Sequence, residues 1–250
     1  MSEHVIVTDD GGIRTIRLNR PEKKNALTHA MYARLTEALA GAGGDDAIRC
    51  IVIAGTPGAF TAGNDLQDFL AIATSKEGMP RPVGDFLPAL VTCRKPLVAA
   101  VSGIAVGIGT TMLFHCDHVV ASREARFVTP FTSLGLVPEA ASSLIAPRMM
   151  GHARAFALLV MGRPLDAAQA RDAGLVNTVV APEEVDGEAM KAAREIAALP
   201  PGAVAASRRL LRGAPDELMA RIDEEAELFK VRLKSPEARA AFEAFLSKGR

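Results

Sequence analysis

The chain has 250 residues, equal numbers of Lys+Arg and Asp+Glu (29 each), and 49% apolar residues. That apolar content supports a sizeable core and excludes wholesale disorder. Zero net charge without a long basic run argues against a nucleic-acid partner. Cys50, Cys93 and Cys116 are odd in number and lack a CxxC spacing, so neither a disulfide framework nor a zinc site is expected. Residues Met1 to Gly12 are polar and acidic, and no apolar run of about 20 residues escapes a charge or a Gly/Pro break, so neither a secretory signal nor a membrane span is expected. The cytoplasm is the expected compartment.

Val5 to Val7 and Ile13 to Leu18 flank Asp9-Asp10-Gly11-Gly12 and predict a hairpin. Thr28 then caps a helix whose apolar face carries Met31, Leu35, Ala38, Leu39 and Ala42, with Gly41, Gly43 and Gly44 closing it. Cys50 to Ala54, Leu97 to Val101, His118 to Ala121 and Val176 to Val180 are short apolar runs, the pattern of strands covered on both faces. Ile72 to Pro88 carries Gly and Pro and reads as a mobile loop or broken helix over a site. After about residue 182 the strand signal ends. Helices are predicted over Glu183 to Leu199, Ala203 to Leu211, Asp216 to Leu233 and Pro236 to Ser247. In the third, Ile222, Ala226, Phe229 and Leu233 share one face, to be buried on the chain's own core or on another subunit.

Two glycine-rich turns follow strands. Gly58 to Leu66 includes Ala62-Gly63-Asn64-Asp65, and the second turn is Gly103 to Thr111. Small residues let backbone approach a ligand, and a helix start leaves N–H groups free to meet negative charge. Two such turns are either tight turns needed for packing or a pair of amides aimed at one oxygen, an oxyanion hole.

Together these segments resemble the crotonase (enoyl-CoA hydratase/isomerase) superfamily over nearly the whole chain. The resemblance is carried by Asn19 to Leu27, Ala59 to Leu66, Lys95-Pro96 through Asp117, Phe127 to Glu139, and Gly162 to Val176. It implies an α/β fold, a crotonase-like spiral of ββα units. Residues 1–182 would form this core, with CoA site and active site, and 183–250 a C-terminal helical trimerisation region. The implied assembly is a homotrimer or a dimer of trimers. The implied oxyanion donors are the backbone N–H groups of Asn64 and Ile108. Lys24, Ala26, Ala62, Gly63, Asp65, Leu66 and Gly107 fall where the family wraps CoA or shapes the oxyanion turns. For Asp65 an ordinary helix N-cap, and for Lys24 plain exposure, stand as alternatives. No permanently bound cofactor is implied; coenzyme A enters as part of the thioester substrate.

The family's hydratases hold water with two glutamates, whose positions here are Thr111 and Phe131. The stretch Leu134 to Glu139 instead resembles the branch that shifts a 3-enoyl-CoA double bond to the 2 position with one glutamate, which implies Glu139 as base and then acid. An apolar surround would raise its pKa and keep water out. A hydratase, or a catalytically silent acyl-CoA binder, are the alternatives. No G-x-S-x-G elbow supports a hydrolase. His115 and His118 lack a third partner at metal-ligand spacing, so no metal is expected.

Overall fold

The computed structural model describes residues 4–65, 68 and 81–248. The predicted hairpin is β1 (Val5–Asp10) and β2 (Ile13–Leu18), antiparallel, with Asp10 opposite Ile13. Gly11 and Gly12 take φ 55° and 79°, the two-residue turn whose twist matches the strands. Helix α1 (His29–Gly43) starts at Thr28, whose hydroxyl accepts the Met31 N–H, and it buries all five of its predicted apolar positions. Gly41 and Gly43 lie inside the helix, and Gly44 caps it.

Six strands among the described residues form one sheet: β1, β2, β3 (Cys50–Ala54), β5 (Leu97–Val101), β7 (His118–Ser122) and β10 (Thr178–Val180), in that order. From β2 onward its neighbours run parallel. The continuous apolar runs have a direct cause. Ile51 and Ile53 enter the main core, while Cys50, Val52 and Ala54 enter a second core beneath α7 (Val185–Ala198), with Val185, Ala189 and Ala193. A strand buried on both faces has no polar side to show.

A second sheet runs β4 (Ala59–Thr61), β6 (Ile104–Val106), β8 (Arg126–Val128), β9 (Leu165–Asp166). The consecutive pairs β3–β4, β5–β6 and β7–β8 each give their first strand to the large sheet and their second to the small one, with helices between, the crotonase-like ββα spiral expected. These short strands lie partly inside the glycine-rich segments read above as turns.

Part of the predicted loop from Ile72 lies outside the described residues. Its end does not: Arg81–Thr92 is helix α2, with Pro88 inside it. Helix α3 (Ile108–Thr111) is a single turn after β6. Helices α4 (Ser142–Met150), α5 (His152–Leu159) and α6 (Ala167–Asp172) follow the acid-bearing stretch. After β10 and α7 come α8 (Pro201–Arg212), α9 (Asp216–Leu233) and α10 (Pro236–Lys248). The apolar stripe of α9 packs on its own chain: Ile222 meets Val91 and Ala141, and Phe229 and Leu233 join the main core. Among the described residues no helix is long and apolar enough to cross a membrane.

Candidate active site

The parallel pairing of β4 with β6 places the turns that follow them side by side. Their backbones touch so closely that a Cβ on Gly63 would stand 2.7 Å from the Val106 carbonyl oxygen. Gly63 also has φ 87°, which L side chains rarely adopt. Leu27 donates its N–H to the Gly63 carbonyl (2.8 Å), and Asp65 donates to the Leu27 carbonyl (2.9 Å). This parallel bridge uses the groups of residues 63 and 65 and turns the Asn64 N–H to the other side.

The second turn reaches the same result by a helix start. Gly107, at φ 55° and ψ −118°, donates to the Val128 carbonyl and accepts from the N–H groups of Thr110 and Thr111. Ile108 is the first residue of α3, where an N–H has no helical acceptor. Asn64 and Ile108 both line a cavity of about 50 Å³. Tyr32, from the buried face of α1, also lines it and donates its hydroxyl to Asn64 Oδ1 (2.5 Å). Burial holds the Tyr32 phenol far above its ordinary pKa, with the Glu139 charge adding to the effect, so this hydroxyl keeps its proton.

Glu139 lines the same cavity, as its only acid among the described residues. Thr111 donates its hydroxyl to Glu139 Oε1 (2.5 Å). Burial pushes the Glu139 carboxyl up to about 8; the Thr111 hydrogen bond opposes this rise and the charge of Glu225 assists it. Phe131, at the other hydratase carboxylate position, is buried in the main core. Val83, Leu87, Ile222, Ala226 and Phe229 complete an apolar wall.

The chain leaves Glu139 through two non-glycine residues in the left-handed region, Ala140 (φ 62°) and Ala141 (φ 54°). Such conformations cost about 1–3 kcal/mol each and persist only where surroundings impose them. His115 imposes part of this. Burial lowers its pKa to about 4, so the ring is neutral, and its Nε2–H donates to the Ala140 carbonyl (2.7 Å). His115, weighed above as a metal ligand, thus braces the acid-bearing turn. Glu225 on α9 accepts from the Ala141 N–H on the other side (2.7 Å).

Of the residues expected to meet CoA, Lys24 is exposed, and Ala26 and Ala62 are half-buried. Ala62 donates its N–H to the Lys24 carbonyl (2.8 Å), so the segments at 24–27 and 62–65 zip together beside the first amide turn. The Asp65 carboxylate accepts from Arg20 Nη1 (2.6 Å). Leu66 lies outside the described residues. Asn25 anchors this region: it is fully buried, and its side-chain nitrogen donates toward Thr56 Oγ1 and the Ala59 and Phe60 carbonyls. Sequence reasoning passed over Tyr32 and Glu225. Tyr32 sits at a core spacing on α1 and gave no signal. Glu225 did give one: a lone carboxylate three residues after Ile222 and four before Phe229, on the apolar stripe.

The enoyl-CoA hydratase/isomerase family model matches residues 8–250. The chain belongs to the enoyl-CoA hydratase/isomerase family. Among curated members, 1,2-epoxyphenylacetyl-CoA isomerase of Escherichia coli K12 is 32% identical over 99% of this chain and 97% of its own. A probable enoyl-CoA hydratase of Rhizobium meliloti is 34% identical over 98% and 96%. Enoyl-CoA delta isomerase 2 of Rattus norvegicus is 36% identical over 99% of this chain, which spans only 64% of the rat protein's length. Two solved structures superpose closely. An enoyl-CoA hydratase/isomerase of Pseudoalteromonas atlantica T6c has TM-score 0.93 and 42% identity over 98% of both chains. OdaA of Pseudomonas aeruginosa has TM-score 0.92 and 47% identity over 98% of this chain and 99% of its own. The family implies an acyl-CoA substrate, and its members include both isomerases and hydratases.

Proposed function

We propose that this family member is an enoyl-CoA isomerase that moves a 3-enoyl-CoA double bond to the 2 position. The observation that carries the reading is that Glu139 is the only acid among the described residues of a cavity also lined by Asn64 and Ile108, with uncharged Thr111 and Phe131 at the two hydratase carboxylate positions. The thioester oxygen accepts from the N–H groups of Asn64 and Ile108. The Glu139 carboxylate removes a proton from C2. The C2–H electron pair becomes a dienolate whose negative charge rests on that oxygen, where one such donor is worth about 2.7–4 kcal/mol. Glu139, now a carboxylic acid, delivers the proton to C4; C2=C3 forms as C3=C4 is lost, and the carboxylate is regenerated. A base with a pKa of about 8 is stronger than an ordinary carboxylate and suits this proton transfer. The apolar wall keeps water from adding to the conjugated product. CoA lies along Lys24, Ala26, Ala62, Asp65 and Leu66, as part of the substrate rather than as a resident cofactor. Assembly as a homotrimer or dimer of trimers goes with this proposal.

An ultraviolet assay with paired substrates tests it. Isomerisation raises the conjugated enoyl-thioester signal from a 3-enoyl-CoA. Bleaching of that signal from a 2-enoyl-CoA, with no rise from the 3-enoyl ester, would identify a hydratase instead. Binding of both esters without either change would identify a silent acyl-CoA binder.

A further inference from the structure

Glu225 lies among the inward residues of α9 and is only 5% exposed. A buried carboxylate requires partners, and those of Glu225 converge on one short segment. It accepts from the Ala141 N–H (2.7 Å), the Ser143 N–H (3.1 Å) and the Ser143 hydroxyl (2.5 Å). That segment begins at Ala141, two residues beyond Glu139 and the second of the left-handed pair Ala140–Ala141, both fully buried. Glycine would take these angles freely, whereas alanine does not. The pair is therefore held by contacts: His115 donates to the Ala140 carbonyl, Glu225 accepts from the Ala141 N–H, and the two further bonds from Ser143 fix that carboxylate just beyond the pair. The same helix supplies Ile222, Ala226 and Phe229 to the cavity wall.

We propose that Glu225 is a positioning residue, whose carboxylate holds the left-handed Ala140–Ala141 turn and so fixes where Glu139 stands relative to Thr111 and the cavity. This rests on the reading of Glu139 as the proton carrier. The charged and titratable groups around Glu225 are Arg221, which donates to the Ser143 hydroxyl (3.1 Å) and pairs with Glu224, then Glu139 across the turn, and the neutral ring of His115 behind it. The Glu225 charge also disfavours ionisation of Glu139.

Glu225→Gln and the double variant Glu225→Gln/Ala141→Gly separate position from stability. The single variant lowers kcat on 3-enoyl-CoA about 10- to 100-fold, as a small misplacement of a reacting group does, with KM little changed. Glycine at position 141 then restores most of kcat, because the turn no longer needs holding. A residue that served stability alone would lower Tm, leave kcat per folded molecule intact and gain nothing from glycine; either full kcat in Glu225→Gln or no rescue in the double variant overturns the proposal. Should Glu225→Gln not fold, Ser143→Ala removes one of the three hydrogen bonds, and a smaller kcat loss, again rescued by Ala141→Gly, is the expected result. A substrate-free readout separates this proposal from the isomerase reading. In Glu225→Gln a displaced Glu139 loses its Thr111 hydrogen bond, which outweighs the lost Glu225 charge, so the carboxylic-acid infrared band of Glu139, assigned by its absence in Glu139→Gln, titrates with a higher midpoint than in the parent even if no 3-enoyl-CoA is turned over; a lower midpoint would show lost charge without displacement and overturn the positioning role. An unchanged midpoint counts against Glu225.

Discussion

The amide turns at residues 62–65 and 107–109 and the acid turn at 139–141 meet at one cavity but are built by opposite means. In the amide turns the unusual backbone angles fall on Gly63 and Gly107, which adopt them without a Cβ penalty. Neighbouring strands β4 and β6 then set the spacing. In the acid turn the unusual angles fall on Ala140 and Ala141, and partners distant in the chain, His115 and Glu225, impose them. The first arrangement also uses distant backbone partners, Leu27 and Val128, but strains no side-chain-bearing residue. The second stores strain, and it lasts only as long as its clamps do. A group that must stay put while an oxyanion forms is well served by backbone alone. An acid that must hold an unusual proton affinity needs a surround that several elements assemble.

Variants on each side sharpen this contrast. The largest effect is expected from Glu139→Gln, which removes the acid and leaves the amides: turnover of 3-enoyl-CoA falls by about 10²–10⁴-fold, while calorimetric binding of the ester stays near the parent value. Gly107→Ala attacks the other side. No atom lies within 4 Å of the added Cβ, so the damage is conformational. A rotated Ile108 N–H lowers kcat about 10²–10³-fold, and the Glu139 titration stays put. Equal damage to that titration would mean the two sides are not separate.

Thr111→Val probes a direct link between them, since this α3 hydroxyl donates to Glu139. The base must be ionised to act, so kcat/KM rises as pH passes through about 8. Removing the hydroxyl moves that limb to higher pH and lowers the rate at neutral pH about tenfold, the equivalent of one pKa unit. The smallest expected effect is on stability. The folded value of about 8 stands above the ordinary 4.5, so between those values the unfolded chain ionises first, and the native state loses stability as pH rises. Glu139→Gln escapes this loss. It should be more stable than the parent at pH 8–9 by about 1–3 kcal/mol, less than the full shift implies because the side chain keeps some solvent contact, and the gain should vanish near pH 4 in thermal melts.

The same contrast decides what was legible in the sequence. The large sheet was readable because burial on both faces leaves continuous apolar runs such as Cys50–Ala54 and Leu97–Val101. The small sheet was not. Ala59–Thr61 and Ile104–Val106 are three residues each, too short for a period, and they sit against glycines that read as turns. The amide turns stood out because glycine marks them. Glu139 stood out only through resemblance, since nothing in Pro138-Glu139-Ala140-Ala141 announces a left-handed pair. Pro88 misled in the other direction: a proline expected to break a helix lies inside α2. Glu225 was there to be noticed, one charge on the buried stripe of α9, but its partners lie more than eighty residues away in the chain and only the fold brings them together.

The most direct test of the central claim follows the hydrogen itself. A 3-enoyl-CoA carrying deuterium at C2 is converted in a single turnover, and the product is analysed at C4. One shielded acid working first as base and then as acid carries part of the label from C2 to C4. A C4 hydrogen drawn wholly from solvent, or label transfer that persists in Glu139→Gln, would contradict the account.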